Sequence, residues 1–279
     1  MTIDHTLSES AFLVNESRAR RIDISHDAYA HLWVSNATRR LWNDFTRRVY
    51  PYDDIELGLR NRFFLEQVKE YMDSTKNGVF INLGAGFTSY PLLLPTSCLC
   101  IELDVPAVID YKREKIAAFQ KEGLMPSRKI LFKSTDLENP KDRKEIETFL
   151  KMHLRGKSSF IILEGITYYL QRDTLEALFK LCSTIQTNGS RLAFDFWTPS
   201  TVSHPVFQRF TRFFSERFHH EPSTYTFLDE ESIKKIRGYT ITTITDIQQL
   251  ERIYLTTRIL HDYQDILPEQ YVVLTRQSR

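Results

Sequence analysis

GVFINLGAGFTSYPLLLP (78–95), followed at once by CLCIELDVPAVIDYK (98–112), is the stretch on which the reading of this chain turns. An apolar run stops at Gly84-Ala85-Gly86, and a second apolar run ends in two acids, Glu102 and Asp104. Small residues at the end of one strand let a ligand approach the backbone, and an acid on the next strand accepts hydrogen bonds from ribose hydroxyls. Gly86 and Glu102 are sixteen residues apart, close to the ~20 that separate a glycine fingerprint from its ribose acid. The pattern predicts a parallel α/β sheet with a pocket for an adenosine-type cofactor.

Working outward, short apolar runs alternate with amphipathic segments from Gly78 onward, the signature of repeated βαβ units. Strands are predicted at 78–83, 97–103, 129–134, 159–164 and 191–197, with helices near 105–122, 140–153 and 172–187 between them. Beyond these, helices near 203–218 and 248–262 flank a strand at 239–247, and a last strand lies at 271–276. Five parallel strands and a closing pair suit a seven-stranded, mostly parallel sheet whose last strand inserts antiparallel.

Upstream, the first half-dozen residues read as a frayed end. The recurrence of Tyr29, Leu32, Trp33, Leu41, Trp42, Phe45 and Val49 predicts one helix from Ile24 to Tyr50, with Ser25 as its cap. Pro51 ends it, and a second helix runs from Ile55 to Met72. These two helices are read as a lid over the strand ends. The division is therefore an N-terminal helical cap over 1–75 and a catalytic domain over 76–279, with a substrate-facing insertion near 198–230, all in one structural unit.

Composition bounds the function. The 279 residues carry 37 Lys and Arg against 36 acids, a net charge of +1, so the strong basic excess of a nucleic-acid binder is missing. Cys98, Cys100 and Cys182 form no ligand pattern, and no HExxH or Cys/His cluster appears, so no metal site is expected. No apolar run approaches the ~20 residues that span a bilayer, and the N-terminus lacks the build of a secretion signal. A cytoplasmic protein without membrane contact is expected; the oligomeric state is not legible.

The glycine turn also narrows the cofactor. A dinucleotide fingerprint requires a third glycine at position 89, where Ser89 stands. That weakens a nicotinamide or flavin reading, because a pyrophosphate needs close backbone approach along a helix N-terminus. S-adenosylmethionine carries no phosphate and tolerates the shorter loop. Glu102 and Asp104 share strand parity, so alternation does not decide between them, and Asp104 is equally placed to cap the next helix. Asp136 follows the third strand, where it either holds the adenine amino group or forms an Asx turn. Glu164-Gly165 ends the central fourth strand, where a carboxylate is costly to desolvate unless it faces a ligand or partner. Tyr168 and Tyr169 after it, and Asp195 and Trp197 at the end of the fifth strand, are candidate substrate contacts or core residues.

Taken in order, LGAGFTSYPLLLP, ELDVPAVIDYKREKI, STDL and LEGITYYL resemble the leucine carboxyl methyltransferase family. This class I S-adenosylmethionine-dependent group includes polyketide O-methyltransferases of the tetracenomycin type. The resemblance runs from about Arg18 to mid-chain. It implies a Rossmann-like class I methyltransferase fold, with Arg60 or Arg62 meeting the methionine carboxylate and Gly84, Ala85 and Gly86 passing beneath the cofactor. It further implies Asp104, in preference to Glu102, on ribose, Asp136-Leu137 on adenine, and Glu164 with Gly165 beside the amino-acid end. The family commonly reads GAG-x-D-T-R, whereas this chain reads GAG-Phe87-Thr88-Ser89-Tyr90.

The function so implied is O-methyl transfer, foremost to a carboxylate of a small-molecule or polyketide-like acceptor and otherwise to a hydroxyl. A peptide or protein C-terminal carboxylate, a non-catalytic regulatory or RNA-associated role, and a nicotinamide oxidoreductase are the alternatives. A carboxylate acceptor is already ionised at neutral pH and requires no base, so positioning supplies the rate, and no catalytic residue is assigned. Such an acceptor should meet a cation, with Arg39, Arg40, Arg47, Arg48, Arg209, Arg212 and Arg217 available. None of His204, His219 and His220 is assigned as a base.

Overall fold

A computed structural model of the protein describes residues 5–219 and 225–277. Its sheet has seven strands: β1 (Val79–Leu83), β2 (Leu99–Asp104), β3 (Ile130–Ser134), β4 (Ser159–Leu163), β5 (Arg191–Trp197), β6 (Tyr239–Asp246) and β7 (Glu269–Arg276). Their order is β3-β2-β1-β4-β5-β7-β6. The first five are parallel, and β7 runs antiparallel between β5 and β6. Every residue of β1 and β4 is buried, as expected of central parallel strands covered on both faces. The strand order reverses between β1 and β4, which is where open α/β sheets bind ligands.

Eleven helices are described: α1 (His5–Arg20), α2 (Ile22–Ser25), α3 (Asn36–Arg48), α4 (Asp53–Ser74), α5 (Tyr90–Leu93), α6 (Pro106–Lys121), α7 (Pro140–Leu154), α8 (Arg172–Ile185), α9 (Pro205–Phe218), α10 (Glu230–Lys234) and α11 (Ile247–Tyr254). Alternate residues of the strands serve opposite faces. Val79, Ile81, Ile161, Leu163 and Leu192 meet Ile146, Leu150, Leu175 and Leu178 of α7 and α8. Phe80, Phe160, Ile162 and Ala193 meet Leu59, Phe64, Val68 and Tyr71 of α4. Helix α4 therefore covers a face of the sheet and does not act as a lid, and a boundary at residue 75 would cut through this core.

The roof is built from other elements. Leu13 of α1, Trp42 and Phe45 of α3, and Phe207, Phe210 and Phe214 of α9 pack into one aromatic layer with Tyr168 and Trp197 at the strand ends.

The single helix predicted over 24–50 is broken. Helix α2 ends at Ser25, and His26 takes a left-handed conformation (φ 55°). A 3-10 turn covers Ala30–Trp33, and α3 starts afresh at Asn36. Ser25 is not a cap: its hydroxyl donates to Arg18 O and accepts from Asp27 N. The cap is Ser35, whose Oγ accepts from Thr38 N (3.2 Å) while Thr38 Oγ1 accepts from Ser35 N (2.8 Å). The break brings the buried Asp27 onto Arg18 at 3.3 Å. Helix α1 starts within the stretch expected to fray, and α11 stops at Tyr254, well short of 262. All three cysteines are free and buried.

Candidate active site

At the β1/β4 switch the structure encloses a cavity of about 430 Å³. Its floor is the turn after β1, where Gly84 N and Ala85 N donate to Leu103 O at 2.9 and 3.0 Å. Gly84 and Gly86 hold φ of 76° and 44°, left-handed values that favour glycine. A Cβ on Gly84 would stand 2.7 Å from Ile166 Cγ2, whereas one on Gly86 would meet nothing nearer than Ala11 Cβ at 3.9 Å. Gly86 thus leaves a cradle above the backbone into which a ligand fits.

Of the two candidate acids on β2, only Asp104 lines the cavity. Its carboxylate accepts from Gly86 N and Val105 N, each at 2.7 Å, and so fixes the turn. Burial pushes its carboxyl up, against the pull of those two donors. The alternative of Asp104 as a helix cap does not hold, because the N-cap of α6 is Val105. Glu102 is sealed away from the cavity on Lys112 Nζ at 2.8 Å, and the same ammonium reaches Ala85 O at 3.3 Å. Burial raises the Glu102 carboxyl and lowers the Lys112 ammonium. The acid whose spacing from Gly86 was first noted is therefore a support beneath the floor.

Asp136 and Leu137 line the far end with Thr135 and Glu138. Asp136 also closes an Asx turn by accepting from Glu138 N at 2.9 Å, one of the two readings given to it.

The middle of the cavity is charged. Glu164 accepts from Tyr90 Oη at 2.5 Å and from Arg60 Nε at 3.1 Å. Arg60, 2% exposed, also meets Asp195 at 3.2 Å and Glu269 at 3.3 Å. Gly165 donates its N–H to both oxygens of Asp195, and a Cβ there would reach Arg60 Nη2 at 3.3 Å. Burial, and after it Glu269, pushes the Asp195 carboxyl well up; burial likewise raises Glu269. Tyr90 stands at the position that the GAG-x-D-T-R pattern gives to arginine, and Thr88 at its aspartate. Thr88 Oγ1 accepts from Asn82 Nδ2 and donates to Ala85 O, holding the turn without that acid.

Tyr168 and Tyr169 line the cavity. Asp195 and Trp197 do not: Trp197 stacks behind Tyr168, with centroids 3.8 Å apart, and Asp195 is sealed under Gly165. Arg62 also misses the cavity, being held by Glu66 at 2.9 Å over the ring of Tyr254. None of the seven cap arginines lines it, and His220 lies outside the described residues.

Sequence reasoning missed α1 as part of the roof and named none of the wall residues there, although its lid over 24–50 and its insertion near 198–230 take in α3 and α9. Ser10, Ala11, Val14 and Arg18 of α1, and Phe214 and Phe218 of α9, complete the wall. Arg18 is as buried as Arg60 and is tied to Asp27 and to Asn15 Oδ1 at 3.2 Å. The one available signal was the start of the family resemblance near Arg18. Phe87 is also part of the wall and is pinned from behind by Phe12 and Trp33 at 4.4 and 5.1 Å.

Comparison with known proteins agrees with this fold. Over its whole length the fold matches a protein of Thermobifida fusca assigned as a methyltransferase, with a TM-score of 0.67 at 12% identity, covering 99% of this chain and 97% of that one. A DUF574 family protein of Streptomyces avermitilis follows at 0.60 and 12%, covering 94% and 97%. A protein of Mycobacterium ulcerans assigned to the S-adenosyl-L-methionine-dependent methyltransferases is 24% identical over 181 residues, 61% of this chain and 56% of the relative. A Mycolicibacterium vanbaalenii protein of the same assignment is 27% identical over 131 residues, 47% and 40% of the two chains. The chain thus spans about half the length of the curated relatives that it matches. The model of the leucine carboxyl methyltransferases matches residues 11–183, from the roof helix α1 through the glycine turn and Glu164 into α8. The chain belongs to the leucine carboxyl methyltransferase family.

Proposed function

We propose that this chain is an S-adenosylmethionine-dependent O-methyltransferase whose acceptor is a small, largely apolar molecule. The observation that carries the reading is one continuous cavity, with the glycine turn, Asp104 and Asp136-Leu137 at one end and Tyr168, Tyr169, Phe214 and Phe218 in its walls. Asp104 would hold ribose, Asp136 and Leu137 adenine, and Glu164 and Arg60 the amino-acid end, with Arg18 as a second cation beside them. The bound cofactor supplies an electrophilic methyl group on a sulfonium that departs as a neutral thioether. The chain's own residues orient and desolvate: buried hydrogen bonds fix the floor, and the aromatic roof excludes water from the reacting atoms.

A peptide carboxylate is the second reading, favoured by the family's name. The family match ends at residue 183, however, and α9, which supplies Phe214 and Phe218, lies beyond it. The family's acceptor therefore does not carry over to this wall.

Calorimetric titration with S-adenosylmethionine, S-adenosylhomocysteine and NADH tests the cofactor. Micromolar binding of the two sulfur ligands and none of NADH is expected, and failure of both sulfur ligands to bind would overturn the reading. Release of S-adenosylhomocysteine across a panel of hydroxyl, carboxylate and peptide acceptors then tests the chemistry.

A further inference from the structure

We infer that the acceptor enters this cavity uncharged, as an aromatic or similarly flat apolar body presenting a hydroxyl, and not as a carboxylate. The inference rests on the methyltransferase reading above and deepens it. Among the described residues two cations line the cavity, Arg18 and Arg60, and both are committed. Arg18 is held by Asp27 at 3.3 Å. Arg60 faces Glu164, Asp195 and Glu269, all within 3.3 Å, so carboxylates outnumber the guanidinium three to one.

Three arginines of the roof helices hold partners of their own. Arg48 pairs with Glu216, Arg217 meets Glu9 at 3.1 Å, and Arg209 Nε donates to Val49 O at 2.5 Å. Tyr90 brings a neutral hydroxyl to Glu164, where the family pattern has an arginine. An anionic acceptor would thus sit between aromatic rings and a wall in which Asp104, Asp136, Glu138 and Glu164 outnumber Arg18 and Arg60, giving up its hydration for no uncommitted protein cation. A neutral hydroxyl escapes that cost, and Tyr169, Phe214 and Phe218 offer its ring flat apolar surfaces.

The step balances without a further reactant. The methyl C–S bond breaks with its electron pair retained on sulfur, an oxygen lone pair forms the new C–O bond, and the hydroxyl proton passes to water at the cavity mouth. Turnover should then rise with pH toward the acceptor's own pKa, whereas esterification of a carboxylate would be level above about pH 6.

The test uses a matched pair, 2-naphthol and 2-naphthoate, titrated into the full chain saturated with sinefungin, whose ammonium stands in for the sulfonium. At pH 7.5 the naphthol is expected to bind at least tenfold more tightly. Equal or tighter binding of naphthoate overturns the inference alone, and binding of neither overturns the aromatic acceptor. Failure of sinefungin and S-adenosylhomocysteine to bind overturns the methyltransferase reading beneath it. In a second arm, Phe218→Arg should shift the naphthoate-to-naphthol affinity ratio at least tenfold toward the acid, read against the sinefungin affinity of the same variant. An unchanged ratio in a folded variant overturns the placement of the acceptor against α9.

Discussion

Lys112 of α6 and Glu102 of β2 form an ion pair at 2.8 Å with neither side chain exposed, directly beneath the glycine turn. The pair holds the floor from below while Asp104, two residues on, faces the cavity. Breaking it strands a charge in the core, which costs about 3–5 kcal/mol. Lys112→Met should therefore lose that much in urea unfolding, and Lys112→Met with Glu102→Met clearly less. Asp104→Asn should instead weaken S-adenosylmethionine binding tenfold or more in a folded protein. Equal effects of Glu102→Gln and Asp104→Asn on that affinity would contradict the assignment.

The three carboxylates around Arg60 give an asymmetric expectation. Arg60→Met leaves Glu164, Asp195 and Glu269 without their shared cation and should cost about 3–5 kcal/mol. Glu269→Gln removes one of the charges that raise the Asp195 carboxyl. Its cost should stay within about 1 kcal/mol of the parent. Denaturation of the two variants at pH 7.5 decides this, and a loss in Glu269→Gln as large as in Arg60→Met would mean that the carboxylates are not in surplus.

Gly84 and Gly86 should answer alike in backbone and differently in space. Alanine at either bears about 1–2 kcal/mol for the left-handed conformation. At Gly84 it also drives Ile166 from a 2.7 Å contact, while at Gly86 it meets open room. Gly84→Ala should show the larger fall in melting temperature, with Ile166→Ala in the same chain restoring part of it. Gly86→Ala should fall less, yet lose cofactor affinity, because its methyl group enters the cradle.

Asp53 links the roof to the sheet: it accepts from Ser17 Oγ of α1 and, at 3.2 Å, from Tyr50 Oη. Burial pushes its carboxyl from 3.8 up to about 6. A raised folded-state pKa means that the native protein binds this proton more tightly than the unfolded chain does. Its contribution to stability is present below pH 4 and is lost as pH rises through about 6, amounting to about 3 kcal/mol. Asp53→Asn should remove this dependence, so the stability difference between variant and parent should shift toward the variant between pH 4 and 7. A difference that is flat over this range would show that Asp53 titrates normally.

How much of this was readable depends on which residues face inward. All seven strands lie close to their predicted places, because Val79–Leu83 and its neighbours are apolar on both faces and end in small or acidic residues. The glycine turn, Asp104 and Glu164 mark those strand ends and line the cavity, whereas Arg60, which lines it too, was legible only through the family resemblance. Helix α1 escaped because its buried residues include Asn15, Glu16, Ser17 and Arg18, and an inward face made of polar groups leaves no apolar period. The single helix over 24–50 failed at Asp27, where a buried ion pair overrides periodicity. Glu102 was misjudged as a possible ribose contact because Lys112, ten residues away, neutralises it. Asp195 and Trp197 were left open between substrate and core because strand parity gives a rim position but not the layer, Gly165 and Tyr168, that covers it.

The threading of β7 between β5 and β6 bears on how the molecule is made. As the chain emerges from the ribosome, β1 to β5 can pair as they appear, but β6 has no sheet neighbour except β7. Until β7 follows, β5 presents an open edge running through Leu192, Phe194 and Phe196, an invitation to pairing with other nascent chains. Glu269, the first residue of β7, arrives at Arg60 in the same event. Burial of the sticky edge and completion of the charged centre are thus one step of biogenesis, and a chain arrested before residue 269 lacks the completed centre and is exposed to aggregation through the open edge.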